Sequence, residues 1–428
     1  MKNNQKKIVG LLLVIAMLGI TLLGEVGVAA APKTLRVSVQ AWILGKYKMD
    51  EAAKDFEKKH GVKVIYNKVD NFDTTTYILE WSQRKTSNDL VIGGSREQAV
   101  AYAARNYIVN FDKGFFDSKL KKSDFIPAFL ELGNIEKTQY MIPFCCEVMY
   151  IVVNKDLMKK AGLTDANGNV KAPGTWEELH EMAKKATVIE NGKVTQTGLS
   201  IDWGTNFMTY SYLACLQGLK GSMYESNQKT IDFTSKQAKE LLTTWKQLVD
   251  NKISPVDTFA DMDAGRSNFK AGKVAMLLSA ASRWVESESI LGDSKVSVIP
   301  IPGTGKNGTL VYIHGICIPK VSKNQTLAKQ FIKEELLSRD LQVTAMDKYG
   351  KMSPLEAHYS AAKSSEWKGV LDILKKSVTC PLYKDWNKLD QTVQVEIQKY
   401  LTDKQSVDDT LGNLAKTLKS LDQTTGMQ

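Results

Sequence analysis

Apolar and polar positions alternate at period two through Leu35-Arg36-Val37-Ser38-Val39, which predicts a strand, and the stretch 40–47 that follows, carrying Trp42, reads as a loop. A helix is expected over 50–60, with Ala52, Ala53 and Phe56 on one face and Gly61 as its stop. A strand at 62–66, a helical stretch through Leu79 and Trp81, and a strand at 89–92 closed by Gly93-Gly94-Ser95 come next. Strands alternating with helices of this length argue for βα units and a largely parallel sheet.

The stretch 143–163 breaks that rhythm. It opens with Pro143 and places a lone carboxylate, Glu147, among apolar and thiol residues. The β formers Tyr150-Ile151-Val152-Val153 follow, then a turn at Asn154-Lys155-Asp156 into a short helix stopped by Gly162. Charged side chains are rarely buried without a partner. The partner of Glu147 is either an internal cation or a ligand that brings its own donors.

Further on, Thr175-Trp176-Glu177-Glu178 forms a capping box, with Leu179, Met182 and Ala183 on the buried face behind it. Thr234 and Gln237 suggest a second box, ahead of Ala238, Leu241, Leu242, Trp245 and Leu248 at helical spacing. Apolar strands are read at 274–278, 296–299 and 310–318, the last interrupted at His314-Gly315. The final third is mostly helical.

A chain of 428 residues implies two or three domains, and 43% hydrophobic content supports sizeable cores. The net charge of +10 is spread rather than clustered, as at Lys54, Lys58 and Lys59, so a solvated face is expected and nucleic acid is not an expected partner. Lys2, Lys6 and Lys7, the apolar run 8–23 and the small residues Val28-Ala29-Ala30-Ala31 together read as a secretory signal peptide, residues 1–30. Cleavage after Ala30 is preferred because cutting after Ala31 would leave Pro32 at the terminus; a retained anchor is the alternative. The protein is therefore expected outside the cytoplasm, periplasmic or at the cell surface. Cys145, Cys146, Cys215, Cys317 and Cys380 are few and odd in number, without metal-ligand spacing, and are read as buried small hydrophobes.

Catalytic signals mostly fail. Residues 303–308 match G-x-G-x-x-G literally but lead into a strand rather than a helix N-terminus, so they are read as a hairpin turn. His180-Glu181 lacks the second histidine of a zinc protease, and the four histidines form no metal pattern. No cofactor, metal or catalytic residue is assigned, although a glycosidase-like carboxylate pair is left open.

The chain resembles the extracellular solute-binding proteins of ABC transporters, in the family that includes maltose-binding proteins. Pro143, Glu147 and Asn154-Lys155-Asp156-Leu157 match the family's P-x-x-x-E…N-K-D-L pattern, and Ala161-Gly162-Leu163 and Pro173-Gly174-Thr175-Trp176-Glu177-Glu178-Leu179 match its continuation. Further matches, in family order, are residues 269–276, 315–320 and 350–354.

The resemblance implies two doubly wound α/β lobes, 31–146 with 303–348 and 147–302 with 349–428. They would be joined by crossings near 145–149, 300–303 and 349–354, with a ligand in the cleft between them. It implies a monomer that captures a sugar and presents it to the membrane permease subunits, without catalysis. The alternatives are a non-sugar solute such as a polyamine, peptide or anion, and a secreted carbohydrate-active enzyme. By the same resemblance the ligand residues are Glu147, Trp42, Trp203, Trp284, His314, Tyr383 and Trp386. The family's glycine and tryptophan after the 274–278 strand correspond to Ala280 and Ser282, with Trp284 two residues on, and a frequent tryptophan is replaced by His314. Both changes imply a smaller, more polar pocket. Glu147→Gln is expected to weaken binding while leaving the unliganded melting temperature nearly unchanged.

Overall fold

The computed structural model describes residues 33–203, 207–227, 230–256, 259, 261, 263–380, 383 and 385–421. The signal-peptide assignment at 1–30 lies outside the described residues.

Three parallel strands begin the chain: β1 (Lys33–Gln40), β2 (Val62–Val69) and β3 (Leu90–Gly94), with β1 between the other two. Helix Met49–His60 joins the first pair and ends where Gly61 takes φ 62°, a left-handed stop that glycine adopts without strain. Strand β4 (Ile142–Asn154) is buried at all thirteen positions. After it come β5 (Lys193–Ile201), β6 (Val274–Ala280), β7 (Val296–Ile299) and β8 (Leu310–Cys317).

The sheet is mixed rather than largely parallel. Among the described residues its ten strands run β2-β1-β3-β8-β4-β6-β5 and end on the short strand Val188–Glu190, with β7 also on β4 and Val378–Thr379 on β8. Strand β8 is antiparallel to β3 and to the first half of β4, while the second half of β4 is antiparallel to β6 and β7. The βα units set one direction in each lobe. The crossing strand β4 keeps the direction of β1–β3 in the first lobe, with antiparallel β8 between, and runs against β5 and β6 in the second.

The cores follow the same division. Leu35, Val37, Phe56, Phe144 and Ile316 fill the N-terminal lobe; Met149, Ile151, Trp203, Trp245 and Leu414 fill the C-terminal one. A third cluster, including Trp81, Val148, Val152, Trp284 and Trp367, runs across the hinge. All five cysteines are buried and free.

Three local expectations change. The segment carrying Trp42 is a helix, Ala41–Lys46, pinned by the fully buried Ile43, not a loop. Ser235 rather than Thr234 caps its helix, accepting from Ala238 N–H at 3.3 Å. Residues 303–308 are no hairpin turn: Thr304–Asn307 is a helical turn between glycines at φ 83° and 75°. A Cβ on Gly303 would lie 2.2 Å from the Gly218 carbonyl oxygen, so close backbone approach requires glycine there. Asn307 Nδ2 donates to that carbonyl at 2.7 Å, which seats the turn on the C-terminal lobe.

Candidate functional site

Strand β4 carries Glu147 at the point where it leaves one lobe for the other. In the β8–β4 register Tyr312 stands opposite Glu147 and His314 opposite Cys145, so period-two alternation aims Tyr312 and His314 from one face of β8. Glu147 is 3% exposed, and its Oε1 accepts from the equally buried Lys351 Nζ. Lys351 follows Gly350, whose φ of 66° ends helix Arg339–Tyr349 against the backbone of Ser282. The ammonium also donates to Ser282 Oγ at 3.4 Å and lies 5.5 Å from the Trp42 ring centre. Burial pushes the Lys351 ammonium down, but the charge and hydrogen bond of Glu147, with Cys145 adding to them, together hold the group above its ordinary value. The other carboxylate oxygen, Oε2, is buried without a hydrogen-bond partner.

A second ionic group adjoins the first. Helix Arg283–Leu291 begins after β6, and Arg283 Nη1 donates to Glu286 Oε2 at 2.6 Å. Lys46, from the Trp42 helix of the opposite lobe, donates to Glu286 Oε1 at 2.6 Å. Burial opposes the Glu286 charge, yet Arg283 and Lys46 draw its carboxyl down to about 2. Arg283 Nε, like Glu147 Oε2, is buried without a partner.

An aromatic wall joins Tyr312 of β8 to Tyr210 and Trp386 of the C-terminal lobe. Tyr312 and Tyr210 stack at 4.9 Å and 5°, and Tyr210 and Trp386 at 6.0 Å and 20°. Phe207 meets both tyrosines edge-on and carries the Arg266 guanidinium 4.3 Å from its ring centre. Arg266 Nε donates to Asp202 Oδ2 at 3.1 Å, and Ser279 Oγ donates to the same oxygen at 2.6 Å.

A cavity of about 390 Å³ lies between Gln40, Gly93, Ser95, Glu97 and His314 of one lobe and Asn387, the neighbour of Trp386 in the chain, of the other. Ser95 and Gln98 form the capping box of helix Arg96–Ala103, which fixes the rim. Burial holds the His314 imidazole below its ordinary pKa, and its Nδ1 donates to the Gly93 carbonyl at 3.3 Å, so Nε2 is an acceptor. Trp42 meets His314 edge-on at 5.0 Å, its indole N–H donating to Gln40 Oε1 at 3.0 Å. A larger groove of about 490 Å³, between Leu163, Pro173 and Met182, contains none of these residues. Among the described residues no three His, Cys, Asp or Glu side chains converge to hold a metal ion.

Four of the seven expected ligand residues, Glu147, Trp42, His314 and Trp386, are brought together here. Three are not. Trp203 is 1% exposed, donates to the Pro255 carbonyl at 3.0 Å and packs edge-on against Trp245, which makes it core of the C-terminal lobe. Trp284 packs against Trp367 in the hinge cluster. The buried Tyr383 accepts from Ile231 N–H at 3.4 Å. In each case the large apolar ring fills a core where hydrophobic burial is greatest.

Sequence reasoning missed Lys351, Arg283, Tyr210 and Tyr312. Only Tyr312 had a readable signal, its period-two relation to His314 on one strand. The others depend on helices and crossings far apart in the chain.

A profile of the bacterial extracellular solute-binding proteins matches residues 51–370. Binding proteins of Brucella abortus and Brucella suis are 26% identical over 250 residues, 56% of this chain. The match likewise spans only 56% of the length of these curated relatives. Among solved structures, an ABC substrate-binding protein of Listeria monocytogenes in complex with cycloalternan is similar with a TM-score of 0.73 and 20% identity, over 91% of this chain and 99% of that one. A maltose-bound T. maritima protein gives 0.72 and 19%, over 90% and 99%. The GacH receptor of Streptomyces glaucescens, solved unliganded and with acarbose, gives 0.71 and 20%, over 91% and 98%. These likenesses establish the two-lobed fold.

Proposed function

The chain belongs to the bacterial extracellular solute-binding proteins, and we propose that it is the solute-binding component of an ABC importer that captures a sugar or short oligosaccharide between its lobes. The single observation that carries this reading is the composition of the cleft. A stacked aromatic run, Tyr312–Tyr210–Trp386, leads to a cavity rimmed by amide, hydroxyl and carboxylate groups of one lobe and the Asn387 amide of the other. Aromatic faces suit the apolar side of a sugar ring, and short polar side chains suit its hydroxyls. The acceptor oxygen of Glu147 adds a site for a hydroxyl proton. The sugar-bound relatives named above support the same class.

Function follows from closure: a solute touching both lobes favours the closed arrangement by its differential contacts. The loaded protein would be the form handed to the permease subunits, as a monomer, outside the cytoplasm after removal of residues 1–30. The lobes would divide as 31–146 with 310–348 and 147–309 with 349–428, the seating of the 304–307 turn moving one boundary from 303. No catalytic step is assigned to it.

A second reading is an acidic sugar. Lys46, Lys270, Arg283 and Lys351 outnumber Glu147 and Glu286 at the cleft floor, which also argues against a polyamine. The test is a thermal-shift screen of the mature protein against neutral sugars, uronates, polyamines and oligopeptides, since binding to the native state alone raises the melting temperature. A shift with neutral sugars supports the first reading and a shift with uronates alone the second. A shift with polyamines or peptides alone overturns both. Hydrolysis of a chromogenic glycoside by the purified protein would contradict the non-catalytic assignment.

A further inference from the structure

Two buried atoms in the ion cluster at the lobe crossing are without partners, and their chemistry is complementary. Glu147 Oε2 is an acceptor and Arg283 Nε–H is a donor. They belong to one cluster, because the Lys351 ammonium that holds Glu147 Oε1 also donates to Ser282 Oγ, the residue that precedes Arg283. Each group is already held by its other atoms, Glu147 Oε1 by Lys351 and Arg283 Nη1 by Glu286. A buried polar atom without a partner costs about 1–3 kcal/mol, and such atoms call for a functional account.

Resting on the sugar reading above, we propose that Arg283 is a further ligand contact and that, together with Glu147, it selects two neighbouring hydroxyls of a sugar ring. A hydroxyl both gives and takes a hydrogen bond. One member of the pair donates its proton to Glu147 Oε2 while its neighbour accepts Arg283 Nε–H. Neither protein atom can take the other's role, so the two hydroxyls are read in a defined order. The arrangement is also tied to closure. Glu286 orients Arg283 on one side and accepts from Lys46 of the opposite lobe on the other, so the meeting of the lobes sets the guanidinium.

The test is isothermal titration of the wild-type protein with glucose, galactose, mannose, xylose and their disaccharides, followed by monodeoxy forms of whichever panel sugar binds. Arg283→Gln and Arg283→Lys are titrated alongside, with circular dichroism and melting temperature confirming that each is folded. Removing either of two adjacent hydroxyls should weaken wild-type binding about ten- to a hundredfold, the scale of one charge-assisted hydrogen bond. Arg283→Gln should weaken binding of the parent sugar similarly and become indifferent to loss of one of those hydroxyls, while staying sensitive to loss of the other. Panel-sugar binding by both Arg283 variants within about twofold of wild type would overturn the assignment and leave the sugar reading intact. So would equal sensitivity of wild type and Arg283→Gln to every deoxy position. Should Arg283→Gln not fold, the deoxy series on wild type and Arg283→Lys decides by the same comparison. If no panel sugar binds the wild type, the neutral-sugar reading fails and this assignment falls with it.

Discussion

Lys351 donates to one oxygen of Glu147 beneath the Trp42 ring, joining the strand that crosses the hinge to the chain's last return across it. Glu147 is thus both paired internally and half available. On the proposed reading, the two roles that sequence chemistry left as alternatives are divided between the two oxygens of one carboxylate.

The internal pairing changes what Glu147→Gln should do. Removing one member of a buried ion pair leaves the other uncompensated, at a cost of about 3–5 kcal/mol. The unliganded protein should therefore melt at a clearly lower temperature, contrary to the expectation of near-neutral stability. Glu147→Gln combined with Lys351→Met should recover much of the loss. Urea unfolding of the two single variants and the double variant measures the coupling, and additive losses would contradict it.

Lys46 and Glu286 pair across the lobes with Lys46 partly exposed. A pair of this exposure is worth at most about 1 kcal/mol. Lys46→Met should leave the fold intact and weaken binding of a panel sugar by up to about fivefold, an effect that shrinks in high salt. Titration at low and high ionic strength is the measurement, and a salt-independent difference would point to another cause.

The aromatic residues should separate by role. Trp203→Ala should cost about 3–5 kcal/mol of stability, as expected for a fully buried ring. Trp386→Ala, at a ring buried in the same core but stacked on Tyr210, should lower both stability and sugar binding, while Tyr210→Phe, which keeps the stack, should weaken neither markedly. Melting curves paired with titrations distinguish the two patterns.

Acid should destabilise the protein through His358. This histidine is buried with Nδ1 2.7 Å from Ser353 Oγ, and burial, with Arg339 adding to it, pushes its pKa down to about 4. The unfolded chain takes up the proton first, near 6.5. Stability from this group is therefore fully present above that value and is lost as pH falls from about 6.5 to about 4. Melting temperature against pH should decline less steeply for His358→Gln than for wild type across that window. Parallel curves would remove His358 as a cause.

Much of the fold was legible in local pattern. The strand at 296–299, the helix stopped by Gly61 and the apolar stripe around Trp245 are set by residues within one or two turns of each other, where period and capping chemistry decide the outcome. The G-x-G-x-x-G stretch was misread as a hairpin because its form depends on Gly218 and Lys376, neither of which is near in sequence.

The sequence by itself determined that the chain is built of βα units, that a charged residue sits in an apolar crossing strand, and that its motifs run in the order of one binding-protein family. Only the tertiary structure decided which tryptophans face the cleft and what Glu147 meets. Local periodicity reports that a side chain is apolar or polar on its own element. It carries no information on which of several cores a ring fills, or on a partner more than two hundred residues away, as Lys351 is from Glu147. Those outcomes depend on how the elements pack: Trp203 and Trp386 share one core, but only Trp386 also stacks on Tyr210.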